Sequence, residues 1–234
     1  MSETVLSFNS SSESQRTQNG KTLILDLDET LACSYQNPEL ESLQIYTNPS
    51  IYRKFHPSGE KQFCYSVIVD VNGEPLKIWG VTRPGLEEFL KFAQEYFENV
   101  IIWSAGIGPY VEGICREIFD VNSLNLPRLI WSRKDCSSEP GYFHKPLGDL
   151  INKLNGSLIR VDPAKTLIVD DRNYTFLRNP ENGVLIPRFA PGKNLDDLTN
   201  RSDRSLYQLM DWLKRPEVIN SEDFRKLDKT RIFS

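Results

Sequence analysis

Short apolar runs, each closed by polar or turn-forming residues, set the rhythm of this chain. Leu23-Ile24-Leu25 ends abruptly at Asp26. Val100-Ile101-Ile102-Trp103, Leu129-Ile130-Trp131, Leu167-Ile168-Val169 and Val184-Leu185-Ile186 repeat the form. Continuous apolar runs of this length predict strands covered on both faces, as in a parallel sheet. Between them lie segments with helical spacing. Leu86, Phe89, Leu90, Ala93 and Phe97 form one apolar face. Thr82-Arg83-Pro84-Gly85 opens that helix, with proline in its first turn. Further helices are predicted over residues 109–119, 146–154 and 205–214, the last with a stripe of Leu206, Leu209, Met210 and Leu213. One region differs. Residues 63–71 and 75–81 are two extended runs flanking Asn72-Gly73, the strongest two-residue hairpin signal. Residues 31–61 show little regularity. Strands alternating with helices imply an α/β fold: a parallel sheet flanked by helices, with a small β-hairpin inserted after the first strand.

Chemistry concentrates at two strand ends. Asp26-Leu27-Asp28-Glu29-Thr30 follows the first run, and Asp170-Asp171 follows the run ending at Val169. In open α/β sheets, ligands bind outside the carboxyl ends of the strands. Paired carboxylates there can divide labour as nucleophile and acid/base beside a divalent metal. A lone Asp-x-Asp also suits a solvated turn, with Thr30 capping a helix. The second acidic strand end is what points to a metal site.

Composition narrows the classes. The chain has 234 residues, a formal net charge of −4, 26% charged and 39% hydrophobic residues, which fits a globular protein with a substantial core. The acidic balance offers no broad basic surface for nucleic acid. No stretch approaches the ~20 apolar residues needed to span a bilayer. Cys33, Cys64, Cys115 and Cys136 form no Cys-x-x-Cys pair, against a zinc ribbon and in favour of reduced thiols. Six residues after each cysteine stand Glu39, Asp70, Val121 and Tyr142, none of them the arginine a cysteine phosphatase requires. Residues 1–20, rich in Ser, Glu and Gln, read as a disordered tail. Residues 21–213 form the main domain and 214–234 a charged C-terminal extension, helical or frayed.

Taken in order, these motifs resemble the haloacid dehalogenase superfamily. Asp26 to Thr30 resembles its Asp-x-Asp-x-Thr motif. Ser104 after the Val100–Trp103 run, Lys145, and Asp170-Asp171 fit its second, third and fourth motifs. The hairpin, followed by Thr82-Arg83-Pro84-Gly85-Leu86, is similar to the FCP and small CTD phosphatases, which act on the C-terminal domain of RNA polymerase II. The resemblance implies a Mg2+-dependent phosphoserine/phosphothreonine phosphatase without a large cap. It implies Asp26 as nucleophile, forming an aspartyl-phosphate, and Asp28 as acid/base. Ser104 and Lys145 would steady the phosphoryl group. Mg2+ would be held by Asp26, the Asp28 backbone carbonyl and Asp171. Thr30, Arg83 and Asp170 are candidates for substrate contact, and Tyr65 and Trp79 for the wall of a groove on the hairpin. The chain departs from the family where small CTD phosphatases commonly have Thr at Ser104 and Asp-Asn at Asp170-Asp171. The implied partner is a phosphoprotein or phosphopeptide, such as the polymerase repeats, in a cytoplasmic or nuclear setting. No nucleic-acid or membrane contact is expected. Two alternatives remain: a small-molecule phosphohydrolase of the same superfamily, and a non-catalytic binding protein of this fold.

Overall fold

A computed structural model describes residues 19–36 and 63–234. Its centre is a five-stranded parallel sheet of β1 (Thr22–Leu25), β5 (Asn99–Trp103), β6 (Leu129–Trp131), β9 (Thr166–Asp170) and β10 (Gly183–Leu185), in the order β10-β9-β1-β5-β6. Strand β1 is central and pairs on both sides, Leu25 lying opposite Ile102 and Val169. The chain reverses direction across the sheet at this strand, so the carboxyl ends of β1, β5 and β9 open onto one crevice.

Both faces of the sheet are covered. Leu23, Leu25, Val100, Ile102, Leu167 and Val169 face a core completed by helices α1 (Leu86–Tyr96), α2 (Gly108–Val121) and α5 (Ser205–Leu213). The alternate residues Ile24, Ile101, Trp103 and Ile168 face a second cluster with Trp131, Phe176 and Leu147 and Leu150 of α3 (Leu147–Lys153). Period-two alternation in a strand apolar throughout places every residue against a layer. Helix α1 starts at Leu86, with Gly85 as its N-cap, so Pro84 precedes the first turn that the sequence had assigned to it.

A second sheet, antiparallel, joins β2 (Ala32–Tyr35), β3 (Cys64–Val71) and β4 (Glu74–Thr82) in the order β2-β4-β3. Asn72 and Gly73 both have positive φ (58° and 88°), the geometry of a type I′ turn. The hairpin lies against α2, where a Cβ on Gly113 would come within 2.8 Å of Val69; glycine permits this approach. Strand β2 lay in the stretch read as irregular; residues 37–61 of that stretch fall outside the described residues. A further small hairpin, β7 (Ser137–Glu139) with β8 (Tyr142–His144), turns at Pro140-Gly141 and was not anticipated. The short helices α4 (Leu195–Thr199) and α6 (Pro216–Ile219) flank α5 in the sequence.

Residues beyond 213 pack against the domain. Val218, Phe224 and Ile232 are buried in the main core cluster. The Lys21 ammonium donates to the Ile219 carbonyl at 2.7 Å and lies 5.5 Å from the Phe224 ring centre. The segment therefore closes the amino-terminal edge of the sheet and is neither frayed nor detached. Phe224→Ala should cost about 3–5 kcal/mol of stability by opening a core cavity. Chemical denaturation checks this; a loss below about 1 kcal/mol would mean the segment contributes little.

Candidate active site

Three strand ends and one hairpin end deliver the side chains. Asp26 follows β1, its amide still bonded to the Val169 carbonyl at 3.0 Å. Ser104 follows β5, its amide bonded to the Trp131 carbonyl at 3.0 Å. Asp170 closes β9, and Asp171 is the next residue. Lys145 follows β8, anchored by its own amide on the Thr175 carbonyl at 2.7 Å. These segments line a cleft of about 420 Å³ that includes Asp26, Asp28, Ser104, Lys145 and Asp170.

The buried Lys145 ammonium donates to Asp26 Oδ1 at 2.6 Å and to Asp170 Oδ2 at 2.5 Å. Asp170 Oδ1 accepts from the Arg172 amide at 2.9 Å. Burial pushes the Asp26 carboxyl well above the usual carboxylate range; Lys145 opposes the shift, while Asp170 and Asp28 add to it. Burial by itself would lower the Lys145 ammonium, but the charges of Asp170 and Asp26 outweigh it and raise the group. Asp28 accepts from the Ser104 hydroxyl at 3.3 Å and from the Tyr110 hydroxyl. Its carboxyl is raised by burial, against the pull of those two donors. The Ser104 oxygen also accepts from the Gly106 amide at 2.9 Å, which fixes its position.

Carboxylate oxygens of Asp26, Asp170 and Asp171 all lie within 4.8 Å of one another. Burial, then Asp170, pushes Asp171 up to about 6. Lys145 reaches two of these carboxylates, Asp26 and Asp170, while Asp171 meets arginine nitrogens only at 3.9 Å, so its oxygens stay open to a cation. Oxygen donors in such a set suit a hard divalent cation such as Mg2+. The donor set therefore fits the metal implied by the motifs.

Asp26, Asp28, Ser104, Lys145, Asp170 and Asp171 are thus brought together. Arg83 and Thr30, candidates for substrate contact, are not. Arg83 is 0% exposed and lies away from the cleft, donating to Asp203 Oδ1 at 2.9 Å, the Thr30 carbonyl at 3.1 Å and the Pro187 carbonyl at 2.6 Å. It ties the turn after Asp28 to the loop before α5. Thr30 is buried beneath that turn, and its hydroxyl has no hydrogen-bond partner among the described residues. Tyr65 and Trp79 are buried as well. Tyr65 bonds Ser34 at 2.7 Å, and Trp79 joins a small cluster with Phe63, Val81 and Phe189 on the opposite face. The hairpin instead offers Val71 and Leu76 to the cleft. Other wall residues that sequence reasoning missed include Tyr110, Arg133, Phe143, Arg172 and Tyr174. Arg172 directly follows the second acidic strand end, a signal that was open to use. Arg133 and Phe143 belong to no motif; they meet only in the fold, 5.3 Å apart.

A parallel sheet with an Asp-x-Asp motif, a serine, a lysine and an acidic pair at the carboxyl ends of its strands has the arrangement expected of the haloacid dehalogenase fold. The family model for NLI interacting factor-like phosphatases matches residues 21–225, and the chain belongs to that family. A probable C-terminal domain small phosphatase of Dictyostelium discoideum is 28% identical over 90% of this chain and 55% of its own length. The human CTD small phosphatase-like protein is 24% identical over 86% of this chain and 59% of its own. The chain thus spans little more than half the length of these two relatives. Among solved structures, the RNA polymerase II CTD phosphatase Fcp1 superposes with a TM-score of 0.56 at 18% identity, covering 90% of this chain and 59% of that one. A fission yeast Fcp1 bound to beryllium fluoride gives 0.54 at 20% identity, covering 73% and 42%. At these identities the structural match speaks for the fold.

Arg83→Ala should remove about 2–4 kcal/mol of stability, because Asp203 and two carbonyls lose their donor, while KM stays unchanged. Thermal unfolding and steady-state kinetics on the same variant check both parts. A raised KM at unchanged stability would return Arg83 to the substrate.

Proposed function

We propose that this domain is a Mg2+-dependent phosphoserine/phosphothreonine protein phosphatase acting through an aspartyl-phosphate on Asp26. Its substrate class is an extended phosphopeptide, of which the RNA polymerase II C-terminal repeats are the leading example. A nuclear or cytoplasmic setting goes with that substrate. The observation that carries this reading is the position of Asp26. It sits at the carboxyl end of the central strand, one oxygen held by Lys145, facing a cleft that also holds Asp28.

The chemistry follows from these groups. A phosphate monoester dianion repels an anionic nucleophile, so positive charge must come first. Lys145 supplies part of it. Asp26, Asp171 and the Asp28 backbone carbonyl, with Asp170 beside them, would hold Mg2+. When bound, the cation would neutralise charge on the phosphoryl oxygens and the attacking carboxylate. Asp26 attacks phosphorus through a carboxylate oxygen. The bond to the serine or threonine oxygen breaks, and Asp28 gives that oxygen its proton. Asp28, now ionised, takes a proton from water as the water attacks phosphorus, and the bond to Asp26 breaks to release phosphate. The Ser104 hydroxyl, held by the Gly106 amide, steadies the phosphoryl oxygens.

The wall residues support a peptide over a small metabolite. Val71, Leu76, Ile107 and Phe143 supply apolar surface along a cleft that the described residues leave open, and Arg133 supplies a cation. Groups flanking the phosphate can bind there at low entropic cost when the chain is extended.

With Mg2+ present, kcat/KM for a polymerase-repeat phosphopeptide should exceed that for glucose 6-phosphate and for a nucleoside monophosphate. Chelation should abolish turnover, and Asp26→Asn should do so with its thermal midpoint retained. Equal or better turnover of either small molecule would overturn the protein-phosphatase reading; activity surviving in Asp26→Asn would remove the nucleophile.

The pH profile has a definite sign. Asp28 is competent as an acid only while protonated, so kcat falls as pH rises through its raised pKa. Tyr110 opposes that rise by donating to the carboxylate. Tyr110→Phe should therefore move the alkaline limb of kcat to higher pH. An unmoved limb, or one moved down, counts against Asp28 as the acid.

A further inference from the structure

Two arginines stand over Asp171. Arg172 Nε and Arg188 Nε each lie 3.9 Å from Asp171 Oδ2, and that side chain is only 3% exposed. Both guanidiniums also reach Glu29: Arg172 lies 3.4 Å from Oε2, and Arg188 pairs with Oε1. Each arginine thus faces two carboxylates, and each carboxylate two arginines. Glu29 is itself held in an unusual place. Its φ is +64°, a region that non-glycine residues seldom adopt. Its amide donates to the Ala32 carbonyl and its carbonyl accepts from the Phe189 amide, both at 2.7 Å. The turn carrying Asp28 is thereby tied to the segment carrying Arg188. Of these four side chains only Arg172 lines the cleft.

We propose that Arg172 and Arg188, cross-linked by Glu29, are positioning residues that orient Asp171 and balance its charge, and so set the Mg2+ affinity of the site. The inference rests on the metal reading given above. Two guanidiniums against two carboxylates leave the group neutral. An amide in place of Asp171 would leave it positive and repel a cation. Loss of one arginine would leave it negative and attract a cation. Loss of both charges together would restore balance. The Asp-Asn pair common in small CTD phosphatases carries one charge fewer at this position, and here the arginines absorb the excess.

The test is calorimetric titration of the metal-free 234-residue chain with Mg2+ alone, no substrate present. Arg188→Met should tighten the Kd about fivefold, and Asp171→Asn should weaken it by a similar factor, as expected for a unit charge close to a partly buried ion. The double variant should return to within about twofold of wild type, and Arg188→Lys, which keeps the charge, should resemble wild type. Arg188 is 59% exposed, so its two substitutions should leave the thermal midpoint nearly unmoved. An unchanged or weaker Kd in Arg188→Met, with wild type binding Mg2+, overturns this proposal and leaves the metal reading intact. Absence of Mg2+ binding to wild type overturns the metal reading and this proposal with it.

Discussion

One ammonium group holds the site together. Lys145 reaches Asp26 and Asp170 at 2.6 and 2.5 Å, bridging the ends of two adjacent strands. Without it, buried carboxylates at the end of an apolar sheet would repel one another and take up protons. The bridge keeps Asp26 aimed into the cleft and confines Asp170. The lysine is itself restrained by its amide bond to Thr175, so the charge is delivered by a fixed backbone. The rest of the centre elaborates this arrangement. Ser104 and Tyr110 orient Asp28 on one side, and Arg172 and Arg188 face Asp171 on the other.

Rigidity around this centre comes from packing on both sides of β1. Leu23 and Leu25 face one apolar layer and Ile24 faces the other, so the strand that carries Asp26 is held from two directions. Buried Arg83 plays the matching part for the turn after Asp28. It joins Thr30, Pro187 and Asp203, three segments distant in sequence, through one planar fork. A structural arginine placed so close to the acidic motif is easily taken for a substrate ligand. Its complete burial and its bonds to Asp203, Thr30 and Pro187 speak for a structural role.

The cleft wall has a different origin. The inserted hairpin leans on α2 across Gly113, which sets Val71 and Leu76 beside the acidic centre. Tyr65 and Trp79, the larger aromatics of the same hairpin, are used for packing. Tyr65 sits on the face turned to the core, and Trp79 sits on the other face against Phe63 and Phe189. Strand alternation and the depth of each position along the hairpin, more than residue type, sort the wall from the core.

The parallel sheet, the hairpin turn, the principal helices and the acidic strand ends could all be read from the sequence. They rest on local rules: apolar runs, helical spacing, Asn-Gly chemistry, and carboxylates ending apolar strands. Asp26, Asp28, Asp170 and Asp171 were legible for the same reason, as carboxylates closing such runs; Ser104 and Lys145 stood out only through their order in the family resemblance. Strand β2 was not legible, since Ala32-Cys33-Ser34-Tyr35 has little strand character until β4 pairs with it. Nor was the docking of Phe224, whose surroundings are polar in sequence and apolar in space. The roles of Arg83, Thr30, Tyr110 and the Arg172–Arg188–Glu29 network belong to the tertiary structure alone. Each has at least one partner between 53 and 159 positions away. Charge and burial at such positions are set by what the fold brings next to them, and no local pattern carries that information.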